Sequence, residues 1–261
     1  MPSHYFFILL LMSFLILIVP SVKACDVTVA VATNFLFAMI PLVKKFEENS
    51  LHSVVVSFGS TGKHYAQIKQ GAPYDIFLAA DQQRPQLLEN NNLIIDGQRM
   101  TYAIGKLVLW SPHDDLIQNN TDQAIEVLNS NKINYLAIAN SKLAPYGLAA
   151  EQVLSYLNLF QSNALKKKIV RGENISQTFQ FVDTGNANLG FVSYSQLMSA
   201  QKLNKGSYWQ VPQEFYAPII QQAVLLEENV ASKAFFSFLQ SDMARAIISQ
   251  YGYELPDLTQ K

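Results

Sequence analysis

The sequence predicts an α/β protein whose parallel sheets are covered on both faces by helices and divided between two lobes. Three observations carry this: strand, turn and helix patterns alternate along the chain; two apolar strands belong to neither half's repeating pattern; and the core must hold without cross-links, Cys25 being the only cysteine. Apolar residues make up 49% of the 261, enough for a packed core.

Val27, Val29 and Val31 alternate as one face of a strand. The chain then turns through Thr33-Asn34 into Met39, Leu42, Val43 and Phe46, which share one face of a helix. Pro41 fits that helix only if it starts near Leu36 or Phe37, which predicts a first-turn position or a kink. The unit recurs where a strand over 54–58 runs into Gly59-Ser60-Thr61-Gly62 and a helix carrying Tyr65 and Ile68. Residues 75–80 read as a further buried strand. In the second half, 135–139 is a strand, 140–145 a loop, and Ala150, Val153, Leu154 and Leu157 the inward stripe of a helix. Another junction follows at Gly172-Glu173-Asn174-Ile175-Ser176.

The two apolar strands outside the pattern, 106–110 and 219–226, separate a middle block from the two ends. If the chain crosses between lobes at both, residues 25–105 with 222–261 form one lobe and 106–221 the other, leaving a cleft where small ligands bind.

At the amino terminus an apolar run from Tyr5 to Val19 ends at Pro20, and Val22-Lys23-Ala24 supplies a cleavage site, so residues 1–24 read as a signal peptide. The alternative is a retained membrane anchor, for which the run is short; no Lys or Arg precedes it, only His4. Cys25 would then open the exported chain, as a lipid-bearing residue of a weak lipobox or as a free thiol.

Nineteen Lys and Arg against 20 Asp and Glu, with no block of like charge, remove the electrostatic footprint of nucleic-acid binding and point to a small partner. In open α/β sheets the ligand crevice lies at the carboxyl ends of the strands, where helices begin. Four such junctions here hold small or hydrogen-bonding residues: Thr33-Asn34, Ser60-Thr61, Pro145-Tyr146-Gly147 and Asn174-Ile175-Ser176. Converging helix starts present unpaired amides with partial positive charge, which can hold an oxyanion without any cation. Each motif alone also reads as an ordinary N-cap, and Tyr146 as a surface aromatic or as a hydroxyl donor; the residues leave both pairs open.

Enzyme readings find little support. Ser60-Thr61-Gly62-Lys63 is no P-loop, because Ser57 and His64 stand where Gly and Ser or Thr are required, and Lys63 reads as a solvated helix residue. His52, His64 and His113 lack the spacing of a helical metal pair and read as surface or cap residues. Asp75 and Asp81 flank a strand in structural turn roles, and no nucleophile elbow occurs.

Taken in order, Ala32-Thr33-Asn34-Phe35, Gly59-Ser60-Thr61-Gly62-Lys63, Gly71-Ala72-Pro73-Tyr74-Asp75 with Ala79-Ala80-Asp81, Tyr102-Ala103-Ile104-Gly105-Lys106-Leu107, Ala144-Pro145-Tyr146-Gly147 and Gln250-Tyr251-Gly252-Tyr253 resemble the molybdate-binding proteins of ABC importers. The resemblance runs over nearly the whole chain after Ala24. It implies a two-lobed type II periplasmic binding protein fold, each lobe a mixed, mostly parallel sheet flanked by helices, with two crossing hinge strands. It further implies a periplasmic monomer that is not an enzyme, needs no cofactor, binds molybdate or tungstate and delivers it to an inner-membrane ABC permease. The metal would be bound only as its oxyanion, through Asn34, Ser60, Thr61, Tyr146 and the backbone of Ile175, with Thr33 a weaker candidate. Ser193 stands where some members of the family carry a ligand-contacting Tyr, so Tyr146 would supply the phenol, while the adjacent Tyr194 should face the other way. The rivals are the same fold with sulfate, phosphate or a phosphonate in its cleft, and an exported α/β hydrolase.

Overall fold

The computed structural model describes residues 26–257, so the signal-peptide segment and Cys25 lie outside the described residues. The chain runs β1 (Asp26–Ala32), a 3-10 turn (Thr33–Phe35), α1 (Leu36–Glu47), β2 (Ser53–Gly59), α2 (Thr61–Lys69), β3 (Ile76–Ala79), α3 (Gln83–Asn90) and β4 (Arg99–Gly105). A second series follows: β5 (Leu107–Ser111), α4 (Thr121–Asn129), β6 (Leu136–Ala139), α5 (Pro145–Tyr156), α6 (Asn163–Lys166), β7 (Ile169–Gly172), α7 (Ile175–Asp183), β8 (Leu189–Ser193), α8 (Tyr194–Ser199) and β9 (Ser207–Gln210). After a 3-10 turn at Gln213–Phe215, β10 (Ile219–Leu225), α9 (Val230–Phe238) and α10 (Asp242–Gln250) complete it.

Two five-stranded sheets result, in the orders β2-β1-β3-β10-β4 and β7-β6-β8-β5-β9. In each, a single strand runs against the other four: β10 pairs antiparallel with β3 and β4, and β5 with β8 and β9. These are the two apolar strands that fit neither half's pattern in the sequence. Between β4 and β5 only Lys106 intervenes, so the chain passes from one sheet to the other across a single residue.

Side chains alternate across the strands as a pleat requires. Val27, Val29 and Val31 pack with Met39, Leu42, Phe235 and Ile248 on one face, and Ala30 with Phe77, Ile68 and Leu88 on the other. The second sheet is covered likewise, by α4 and α5 through Val127, Val153 and Leu154 on one side and by Phe179, Val182 and Leu197 on the other. α1 starts at Leu36, and Pro41 sits inside it in the second turn rather than the first. There its missing amide leaves the Phe37 carbonyl without its helical bond, one turn from the helix start.

One sequence reading is corrected, and one left open is decided. His64 is buried, 2% exposed, beneath Tyr74 and Phe77 with Nδ1 3.2 Å from Gln67 Oε1; the first sheet and α2 enclose it. Tyr146 is 1% exposed and no surface aromatic, because the other lobe covers it. The strands β4 and β9, absent from the sequence reading, complete one edge of each sheet.

Phe235, fully buried and edge-on to Phe46 at 5.0 Å, holds α9 against α1. Phe235→Ala is expected to cost about 3–5 kcal/mol by cavity formation, read as a lowered urea midpoint with an unchanged slope.

Candidate functional site

The loops after β1, β2, β6 and β7 all lie at strand carboxyl ends beside helix starts, and they meet. Ser176 Oγ donates to Thr33 O at 3.1 Å, joining the fourth junction to the first. Gly62 N donates to Leu143 O at 2.8 Å, joining the second to the loop before Tyr146. Lys63 Nζ and Glu173 Oε1, 3.3 Å apart, join the second to the fourth. Gln221 bridges the first and third: its Oε1 accepts from Asn34 Nδ2 at 2.8 Å and its Nε2 donates to Tyr146 Oη at 3.4 Å. The four loop tips therefore close around one region, with the two sheets drawn together.

Local sequence explains the approach. A Cβ at Gly62 would lie 3.0 Å from Leu143 Cα, so a bare backbone is what lets these two loops touch. Gly147 lies directly on the Ala139 carbonyl, seating the start of α5 on the end of β6. Gly105 does the same for the Tyr146 phenol, which a side chain there would displace.

Thr33, Asn34, Ser60, Thr61, Tyr146 and Ile175 are all buried, between 1% and 7% exposed. Ser60 is the N-cap of α2, yet its hydroxyl makes no capping bond and has no partner at all. Elsewhere the protein uses N-cap side chains in the ordinary way: Asn120, Ser162, Asn174, Asn229 and Ser241 all accept from the following helix. Ser60 is thus not an ordinary cap, whereas Asn174 is. Thr61 Oγ1 accepts from Ala80 N at 3.1 Å, which leaves its own proton to donate. Asn34 Oδ1 is buried and unpartnered, while Asn34 Nδ2 is engaged by Gln221 and, at 3.1 Å, by Tyr253 Oη. Ile175 opens α7, where a first-turn amide has no partner within the helix. Its carbonyl accepts from Gln196 Nε2 at 3.2 Å.

The nearest charges are committed elsewhere. Lys63 and Glu173 are exposed and pair with each other. Arg84 pairs with Asp81 and donates to Lys142 O at 2.8 Å across the cleft. Asp75 accepts from Thr28 N at 2.7 Å and Asn229 Nδ2 at 2.9 Å, a structural role. Among the described residues no group of three or more His, Cys, Asp or Glu could hold a metal ion. What the site offers is neutral donors at helix starts, drawn from both sheets.

A family model described as bacterial extracellular solute-binding protein matches residues 27–254. The chain belongs to that family. It is 46% identical over 236 residues to the molybdate-binding protein ModA of Azotobacter vinelandii, covering 89% of this chain and 91% of that one. The ModA of Rhodobacter capsulatus is 42% identical over 233 residues, covering 88% of each. The solved structure of the Azotobacter vinelandii periplasmic molybdate-binding protein superposes with a TM-score of 0.82 at 39% identity, over 88% of this chain and all of that one. The fold is the two-lobed type II periplasmic binding protein fold, and the relatives are named as binding proteins.

Within this solute-binding protein a layer beneath the junctions escaped the sequence reading. Gln221, Tyr253, Ser195 and Tyr102 are 0–4% exposed and hydrogen-bonded to Asn34 or to each other. A signal existed for one of them: Gln221 and Gln222 are paired polar residues inside an otherwise apolar strand. Ser193 is buried, bonded to Gln196 and Ser195, and Tyr194 lies against Gly252, away from the junctions. Burial pushes the phenols of Tyr102 and Tyr146 well above their usual value and raises Tyr253 as well, so all three stay protonated. Burial lowers His64, with Lys63 adding to the effect and the Gln67 bond opposing it.

The two shifts act at opposite ends of the pH scale. Raised tyrosines contribute stability that is intact below about pH 10 and lost above it, as the unfolded chain ionises. Lowered His64 contributes stability that is intact above about pH 6.5 and lost on acidification. Urea midpoints are expected to fall at both limits, and His64→Gln to flatten the slope on the acid side of about pH 6.5 while leaving the alkaline limb in place.

Proposed function

We propose that this protein captures molybdate, or tungstate, between its lobes after export and delivers it to an inner-membrane ABC permease. The observation that carries the reading is the meeting of four helix-start loops from both sheets around buried, uncharged donors, of which the Ser60 hydroxyl has no protein partner. The names of its relatives support the same ligand.

A tetrahedral dianion entering such a cleft loses its hydration, and each oxygen must regain hydrogen bonds from the protein. Ser60 and Thr61 hydroxyls, the Tyr146 phenol and the amides of Asn34 and Ile175 form the donor set, with Thr33 beside them. Helix starts add partial positive charge directed at the same point. No single lobe supplies enough donors, so the anion binds the closed form more tightly than the open one and shifts the equilibrium toward it. The permease would recognise that closed face. Sulfate presents the same charge and acceptor pattern on a smaller ion, so a rigid cage rejects it by leaving donors out of reach.

We assign residues 25–105 with 222–261 to one lobe and 106–221 to the other. That boundary falls at the irregularity in the β10–β4 pairing between Gln221 and Gln222, a place where a strand can flex. The protein acts as a monomer by binding alone, with no resident cofactor, no nucleic acid and no turnover. Residues 1–24 act as the export signal, and Cys25 is the position at which a lipid would tether the chain.

Calorimetric titration of the exported form with molybdate, tungstate, sulfate and phosphate tests this. Tight binding of the first two, with sulfate and phosphate far weaker, is expected; silence toward molybdate, or a preference for phosphate, rejects it. Ser60→Ala and Thr61→Ala are each expected to weaken molybdate binding by about 1.5–3 kcal/mol, roughly ten- to a hundredfold, the range for a hydrogen bond to a charged group, and Asn34→Ala to weaken it by removing the bond to Gln221. Wild-type affinity in all three would remove those residues from the site. Gly62→Val is expected to hold the lobes apart, measured by X-ray scattering as a larger radius of gyration with molybdate present than the wild type shows.

A further inference from the structure

We infer that Gln221, which is not one of the donors, is a positioning residue that forces the Tyr146 phenol to aim its proton at the anion. The inference rests on reading the cleft as an oxyanion site.

Gln221 is fully buried on β10, at the register irregularity in the pairing with β4 where the lobes divide. Its carboxamide has one accepting end and one donating end. The oxygen is engaged twice, by Asn34 Nδ2 at 2.8 Å and by the Tyr102 hydroxyl at 3.0 Å, whose proton is shared with Ala79 O at 3.2 Å. Both of its lone pairs are thereby occupied, and the nitrogen is left facing Tyr146 Oη at 3.4 Å. An amide nitrogen accepts nothing, so the phenol can only accept from it. The single phenolic proton, retained because burial opposes its loss, must be given to another acceptor. Between the closed junctions, that acceptor is the bound anion.

The direction of this bond is set by a chain that begins in the other lobe. Ser195 Oγ, in α8, donates to Tyr253 Oη at 3.0 Å. Tyr253 spends its own proton on Asn34 O at 2.7 Å, and its oxygen also accepts from Asn34 Nδ2 at 3.1 Å. The two Asn34 Nδ2 protons are therefore taken, one by Tyr253 and one by Gln221. The order runs Ser195, Tyr253, Asn34, Gln221, Tyr146, leaving the second lobe, crossing the first and returning. The reverse polarity, with the phenol donating to a Gln221 oxygen, would set Gln221 nitrogen against Asn34 nitrogen, donor facing donor; turning the Asn34 carboxamide as well would set its oxygen against the Tyr253 oxygen, whose proton is already given to Asn34 O. Gly105 makes room for the last link, since a side chain there would strike both the phenol oxygen and Gln221 Nε2. In this scheme the Asn34 side chain acts on the anion through Gln221 and Tyr146, not by direct contact.

A double-mutant cycle tests the assignment. Molybdate is titrated into the wild type, Gln221→Met, Tyr146→Phe and the double variant, with the urea midpoint of each recorded. Gln221→Met keeps the length of the side chain but removes the donor to Tyr146, and is expected to weaken molybdate binding by about tenfold while the Tyr146 phenol is present and by less than about twofold once Tyr146 is Phe. Equal losses in both backgrounds would show a packing role and overturn the inference, as would wild-type affinity in Gln221→Met. If Gln221→Met does not fold, the same cycle is run with Gln221→Leu, which likewise offers Tyr146 no donor and adds no charge; its loss must again shrink in the Tyr146→Phe background, or the inference fails. A wild type that does not bind molybdate would bring down the oxyanion reading itself, and this inference with it. Failure of the cycle alone leaves that reading standing.

Discussion

The hydrogen bond from Gly62 N to Leu143 O, 2.8 Å long, holds the start of α2 against the loop that leads into α5. It is a contact between the two sheets, made where a glycine presents backbone instead of a side chain. With these loops in touch, Ser60, Thr61 and Tyr146 are shielded from solvent together. Shielding is what gives neutral donors their strength: a hydroxyl or amide dipole competing with water does little, whereas the same dipole in a closed cleft is the only replacement for lost hydration. Two further bridges, Ser176 to Thr33 and Lys63 to Glu173, reinforce that closure from the other side. The exposed ion pair adds little energy of its own and serves chiefly to align the two rims.

The absence of a cation among the donors follows from the same arrangement. Lys63 and Arg84 stand near the mouth, each beside a carboxylate of its own. A buried cation would attract any anion of suitable charge and would itself need a partner when the cleft opened. Amides and hydroxyls avoid both problems: exposed, they are solvated at little cost, and enclosed, their fixed directions select a ligand by the distance between its oxygens. Three buried phenols, of Tyr102, Tyr146 and Tyr253, fit this scheme because burial keeps them neutral donors.

Much of this was legible because it is local. Alternating Val27, Val29 and Val31 and the stripe through Met39, Leu42 and Phe46 announce a strand and a helix within twenty residues, and polar residues at helix starts mark the junctions. The burial of His64 and Tyr146 was not legible, since neither residue's own helix covers it fully; the cover comes from β-strands or from the opposite lobe. The network beneath the junctions was further out of reach. Asn34 meets Gln221 across 187 residues and Tyr253 across 219, and no local pattern carries such a pairing. β9, four residues at a sheet edge, was too short for alternation to reveal.

The segment after α10 is small but far-reaching. Ile104 and Glu254 exchange backbone bonds at 2.8 and 3.0 Å, Glu254 also pairs with Lys106 at 2.8 Å, and the neighbouring Tyr253 reaches Asn34 and Ser195. These few residues therefore stitch the one-residue crossover between the sheets to the heart of the cleft. A reporter or affinity handle spliced in before Glu254, or a protease cut near Gly252, would act on recognition from a distance while the two cores stayed whole.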